Sequence, residues 1–241
     1  MDENLRSLYG LSMFNKKYLF EIFMENIGNM SKSTMEKYLK KYLESGKIAR
    51  IGRNAYCIKG ELRDYEYDYS RTSIHISGIL NKDFYDLDFR IAELYQMNRF
   101  LNHQIAHNVI FVFVEKELCS SVFERLKKEY EGKILINPTE EDFFHYRQDD
   151  IIVLRNLLTE SPKGKEEVWH TDLEKLLVDI FSENLVKAMF GESEYPAIYE
   201  TAFDSYVVDE SQLFRYARRR KSADKIRKFI EEETNVKLRL G

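Results

Sequence analysis

Apolar and polar residues recur along this chain with two periods, and the switches between them mark its elements. In KKYLFEIFMENIGN, Tyr18, Leu19, Ile22, Phe23 and Ile27 recur as one face of a helix. The following segment, MSKSTMEKYLKKYLESG, repeats the helical period. Met35, Tyr38, Leu39, Tyr42 and Leu43 share one side, while Ser33, Lys37, Lys40 and Glu44 point away and Lys41 flanks them. Ser31 or Ser33 can cap this helix, Glu36 stands three residues beyond Ser33 as in a capping box, and Gly46 ends it. KIARI and AYCI then read as two short strands about a Gly52-Arg53-Asn54 turn.

Beyond residue 72 the periods alternate. TSIHISGIL suits a strand or a short helix, DLDFRIAEL a strand, and LYQMNRFLNHQ a helix. NVIFVFV is nearly continuous β-branched and aromatic, as in a strand buried on both faces. SVFERLKKEYEG predicts an amphipathic helix, and KILINP and DIIVLRNLL predict strands. TDLEKLLVDIF and the stretch after it, SQLFRYARRR and ADKIRKFIEEE, predict helices. In LEKLLVDIF, Leu173, Leu176, Leu177 and Ile180 fall at the spacing of one buried face. Strands alternating with helices imply a sheet covered by helices. Between the two parts, GELRDYEYDYSRT has no sustained period, but its aromatic residues predict a packed connection.

Composition changes the picture through charge. The net charge of −4 conceals 11 Lys+Arg against 6 Asp+Glu in residues 1–60, with 8 against 2 in residues 31–60. Helix, helix and basic hairpin is the order of a winged helix-turn-helix. A helix of this kind fits the major groove, with hydroxyls and lysines at its N-terminal end near base edges and phosphates. The expected DNA-facing set is Ser31, Lys32, Ser33, Thr34, Lys37, Lys40 and Lys41 on the helix, with Arg50, Arg53 and Asn54 on the hairpin. A second basic run, residues 211–230, holds 8 Lys+Arg and one Asp inside an otherwise acidic part of the chain. With Leu213, Phe214 and Ala217 packed inward, Arg215, Arg218, Arg219, Arg220 and Lys221 are expected to face solvent, a phosphate or an acidic partner.

Catalytic chemistry has weaker signals. Asp86 and Asp88 form the type of pair with which nucleotidyltransferases hold magnesium, but only Gly78 stands upstream where a triphosphate-binding turn is needed. Glu115-Lys116-Glu117 lacks the nuclease spacing. His103 and His107 could share a helix face without a third ligand at fixed spacing. Cys57 and Cys119 form no CxxC, and Trp169 suits a core or interface. No glycine-rich phosphate loop or nucleophile elbow occurs. The absence of an apolar run of membrane length and of a leader-like N-terminus predicts a cytoplasmic protein with no membrane partner.

Three stretches, FLNHQIAHNVIFVFVEKELCSSVFERL, DLEKLLVDIFSENLVKAMFGESEYPAIYETAF and VDESQLFRYARRR, together with the preceding helices and hairpin, resemble AbiEi-like antitoxins of type IV toxin–antitoxin and abortive-infection systems. The run Ser33-Thr34, Leu39, Leu43, Gly46, Ile48, Arg50, Gly52 and Tyr56 is also similar to the N-terminal domains of bacterial transcriptional regulators. The resemblance implies a mixed α+β and α/β fold, with a winged helix-turn-helix over residues 1–60, a connection at 61–72 and an antitoxin-like domain at 73–241 whose mixed sheet is flanked by helices. It implies a repressor that binds the double-stranded promoter DNA of its own operon and opposes a nucleotidyltransferase-like toxin without an obligatory stable complex. Thr34, Lys37, Lys41, Arg50 and Arg53 then correspond to the DNA-facing helix and wing. A short N-terminal domain, with little room for an extra helix between Asn26 and Ser31, departs from the pattern. No catalytic residue, metal or cofactor is expected on this reading. The alternative is a nuclease or nucleotidyltransferase targeted by a winged helix.

Overall fold

A computed structural model describes residues 2–240 as a mixed α/β protein with two sheets. A short 3-10 helix, Glu3–Leu8, leads to α1 (Lys16–Ile27) and α2 (Lys32–Glu44). No extra helix lies between α1 and α2, as the sequence suggests; an additional helical turn precedes α1 instead. Ser31 caps α2, its Oγ accepting the Thr34 N–H at 3.2 Å. The capping box expected of Ser33 and Glu36 does not form, because Ser33 lies within the helix and Glu36 pairs with Lys16 of α1.

The hairpin of β1 (Ile48–Gly52) and β2 (Ala55–Ile58) turns at Asn54, whose φ of 57° is a left-handed geometry that asparagine tolerates. Period two then sends its side chains to two cores. Ile48 and Tyr56 pack with Leu19, Phe23 and Leu39 of the helices, whereas Ala49, Ile51, Ala55 and Cys57 pack against Val207 and Leu240 from the far end of the chain. The hairpin is therefore buried on both sides.

Residues 61–72 are packed, as their aromatics predict. Tyr65 is buried edge-on to Tyr206, the Tyr67 hydroxyl donates to Glu93 at 2.8 Å, and the Tyr69 hydroxyl donates to the Ile91 carbonyl at 3.1 Å. TSIHISGIL resolves as helix, α3 (Arg71–Asp83), capped by Ser70.

The larger sheet has the order β3 (Phe89–Glu93), β4 (Val109–Val114), β6 (Ile151–Asn156), β5 (Ile134–Ile136), with β3 antiparallel and the other neighbours parallel. Central β4 is buried on both faces. Val109, Phe111 and Phe113 face one core, and Ile110, Val112 and Val114 the other. The second core is closed by α3 and α4 (Cys119–Lys127). The first is closed by α5 (Glu140–Tyr146), α6 (Leu173–Ser182), α7 (Asn184–Met189), α8 (Tyr195–Ser205), α9 (Glu210–Arg219) and α10 (Ala223–Glu233). LYQMNRFLNHQ yields only a 3-10 helix at Leu94–Arg99, so His103 and His107 lie on a loop rather than one helix face. No helix among the described residues is long and apolar enough to cross a membrane.

Candidate nucleic-acid interface

The amphipathic pattern of α2 fixes which residues it presents. Met35, Leu39 and Tyr42 are buried, the latter two in a core shared with α1, so Lys32, Ser33, Lys37, Lys40 and Lys41 are left exposed. Lys40 pairs loosely with Glu44 at 3.6 Å, both strongly exposed, and such a pair contributes little in water. Lys32, Lys37 and Lys41 have no carboxylate partner among the described residues. The hydroxyls of Ser31 and Thr34 contact each other at 2.9 Å beside the exposed first turn. This end also carries the positive pole of the helix, so the face can receive anionic oxygens.

The hairpin residues are placed differently. Asn54 Oδ1 accepts the Lys16 N–H at 3.1 Å and so braces the start of α1. Arg50 folds over its own turn, with Nε donating to the Gly52 carbonyl at 3.1 Å. It lies on the wall of a cavity of about 400 Å³ between hairpin and body, whose α2 contribution is Leu43 in the last turn. Arg53 is exposed, but its backbone N–H donates to Ser211 Oγ of α9 at 3.2 Å. The structure thus groups the α2 residues on one face and ties the hairpin backbone to the body.

The same cavity contains an acidic group that the sequence pattern did not single out. Asp172 and Asp209 cap α6 and α9, and Glu174 Oε1 accepts the Asp209 N–H at 2.6 Å. Glu174 Oε2 is buried without a hydrogen-bond partner. Burial, followed by the neighbouring Asp172 charge, pushes the Glu174 carboxyl up to about 8, while Lys165 acts in the opposite direction. Asp172 is also raised by burial.

Of the second basic run, Arg215, Arg218, Arg219 and Lys221 are exposed, and Arg215 pairs with Glu160 at 2.9 Å. Arg220 corrects the expectation of a solvent-facing cluster. Its side chain is 12% exposed, and it donates to Ser182 Oγ at 2.9 Å and to Glu183 at 3.3 Å. Behind it, Lys175 pairs with Asp179, which also accepts the Tyr216 hydroxyl at 3.0 Å. The Lys175 ammonium sits 3.5 Å from the centre of the Phe113 ring, and burial lowers its affinity for a proton. Arg220 therefore belongs to a buried network, where an unpaired charge would be costly.

The catalytic candidates are also committed elsewhere. Asp88 accepts from the fully buried Arg90 at 2.7 Å, and Asp86 sits at φ 57° in an exposed turn. His103 faces Glu194 at 3.3 Å. Both cysteines are buried free thiols raised by burial, with Arg239 standing 3.5 Å from the Cys57 sulfur. Trp169 packs on Tyr69 with ring centres 4.8 Å apart. Among the described residues, no group of three or more His, Cys, Asp or Glu side chains has metal-holding geometry.

No curated protein matches this sequence. Residues 34–236 match a family of unknown function, DUF6577, a span that begins within α2 and runs past α10. That span is most of the chain, and the protein belongs to the DUF6577 family.

Proposed function

We propose that this protein is a cytoplasmic DNA-binding repressor that reads duplex promoter DNA through α2. The observation that carries the reading is the exposed face of Lys32, Ser33, Lys37, Lys40 and Lys41, which runs along a helix that follows a four-residue turn. The surrounding order supports a winged helix: a leading helical turn, then Phe14 paired to Tyr56 through N–H···O bonds of 2.8 and 2.9 Å, then α1, α2 and the hairpin. Phe14 makes a single β-bridge to the hairpin at the place where a winged helix carries a third strand. Because Arg53 is tethered through its backbone and its side chain is exposed, that side chain is available to a phosphate.

Electrophoretic shift with duplex from upstream of the protein's own coding sequence tests this. Lys37→Ala with Lys41→Ala should weaken binding, and each lost phosphate contact should lower the slope of log K against log salt by roughly 0.9. Unchanged affinity and slope in the double variant would sink the assignment.

The antitoxin role rests on the resemblance to AbiEi-like proteins, with Arg215, Arg218, Arg219 and Lys221 as the exposed basic surface. Protection from a nucleotidyltransferase-like toxin in a co-expression growth assay checks it. Arg215→Glu with Arg218→Glu spares the buried Arg220 network, so loss of protection in that variant would report the surface rather than misfolding.

A further inference from the structure

Beyond the carboxyl ends of β5 and β6 lies a cavity of about 440 Å³, walled by Arg155, Arg219, Arg220 and Lys221 with Glu183 as the one carboxylate. We infer that this cavity binds the phosphate of a phosphate monoester or polyphosphate of nucleotide size. The inference does not depend on the reading of α2, which lies in another part of the molecule.

Four observations converge. The first is location. Asn156 ends β6 and Asn137 follows β5, and both line the cavity at the carboxyl ends of parallel strands. The chain crosses one face of the sheet in α4 and the other in α5, and the cavity lies on the edge of carboxyl strand ends where open sheets bind ligands, beside the switch between β4 and β6.

The second is charge. Four cationic side chains against one carboxylate leave the wall at +3. A dianionic monoester or a polyphosphate matches that excess better than a singly charged diester.

The third is an unused donor. Arg155 gives Nη2 to Glu183 at 3.0 Å, but its Nε is buried with no hydrogen-bond partner. A buried guanidinium N–H without an acceptor is destabilising, and a phosphate oxygen that reaches it through a small shift of the Arg155 side chain would supply a single acceptor, Nη2 being held by Glu183. Glu183 also fixes Arg220 at 3.3 Å, so the two guanidinium groups are held by one carboxylate before any ligand arrives.

The fourth is backbone conformation. The α9 terminus is closed by Lys221 N–H to Arg218 O at 3.0 Å and Ser222 N–H to Ala217 O at 2.9 Å, the Schellman pattern. Its left-handed residue is normally glycine, yet here Lys221 holds φ 55°. A lysine in that conformation is strained, and the strain places its ammonium-bearing side chain on the cavity wall.

Titration calorimetry of the intact protein with inorganic pyrophosphate and with a nucleoside triphosphate tests the site. Both should bind saturably. The double variant Arg219→Gln, Lys221→Gly should weaken binding about tenfold or more through loss of two charge-assisted contacts. Lys221→Gly by itself should melt no lower than the parent, because glycine relieves the backbone, and should still bind more weakly. Lys228→Gln, an exposed position of α10 outside the cavity, should leave affinity unchanged. Failure of both probes to saturate at millimolar concentration overturns the site. So does unchanged affinity in the double variant, or equal weakening by Lys228→Gln, which would signify diffuse surface charge. Binding of a short duplex in this cavity without binding of either probe would overturn the small-ligand assignment.

Discussion

The backbone N–H of Arg53 donates to Ser211 Oγ at 3.2 Å, tying the hairpin turn to the first turn of α9 across 158 residues of sequence. The neighbouring Gly52 allows this approach. A Cβ at that position would overlap both Ser211 Oγ and the Leu240 side chain. Gly52→Ala should therefore push the hairpin off α9 and lower stability by about 1–3 kcal/mol, the usual cost of overpacking. Thermal melting together with faster proteolysis around residues 61–72 checks this. A parent-like melt with parent-like cleavage would show that the contact is slack.

Arg218 and Arg220 are two residues apart in one basic run but should behave in opposite ways. Arg220→Ala leaves Asp179 and Glu183 short of a partner in a buried network and should cost about 3–5 kcal/mol. Arg218→Ala, at an exposed position, should stay within about 0.5 kcal/mol of the parent. Urea unfolding of the two single variants measures the contrast, and equal losses would refute it.

Leu177 is fully buried, and its carbonyl accepts the Tyr199 hydroxyl at 2.8 Å. Leu177→Ala should cost about 2–5 kcal/mol in the larger core. Denaturant unfolding followed by far-ultraviolet circular dichroism measures the loss, and the fluorescence of Trp169, in the core on the opposite face of the sheet, shows whether the two cores melt together. An unchanged midpoint would place the α6 face outside the larger core.

The Glu174 carboxyl is held at about 8 in the folded chain against a usual 4.5. Across that interval the folded state keeps a proton that the unfolded state releases, so stability should fall as pH rises through it. Glu174→Gln keeps the carbonyl oxygen that accepts the Asp209 N–H but carries no titrating proton. Relative to the parent, the variant should be more stable at about pH 9 than at about pH 5. Asp172, Asp209 and Lys165, which face this group, are retained in both proteins. Parallel stability curves for the two proteins would overturn the assignment.

Much of the fold is legible in the chain. The nearly continuous apolar run NVIFVFV becomes β4 buried on both faces, and the helical stripe of Met35, Leu39 and Tyr42 becomes the inner side of α2. The exposed lysines of α2 follow from the same stripe, because the period that buries one side of a helix exposes the other. Elements with a strong local period were readable for that reason. TSIHISGIL, short and lacking a decisive period, stayed open between strand and helix until Ser70 capped it into α3. The loop at His103 and His107 was hidden because LYQMNRFLNHQ has helical composition but forms a single 3-10 segment.

The pattern in LEKLLVDIF shows the limit of local reading. It marks Leu173, Leu176, Leu177 and Ile180 as one buried face, yet Glu174, Lys175 and Asp179 on the other sides are buried as well. Periodicity reports which side of a helix is apolar; it carries no information on what covers the polar side. That was decided by α9, which brings Tyr216 and Arg220 to Asp179, and by Asp209, whose backbone meets Glu174. Likewise the sequence by itself set the two basic runs, the elements that carry them and the inner face of each. Only the tertiary structure divided Arg220 from Arg219 and Lys221, placed Arg155 beside them from a strand far away in sequence, and docked the hairpin on α9. Local periods are properties of neighbouring residues, whereas burial of a charge depends on partners that arrive from elsewhere in the chain.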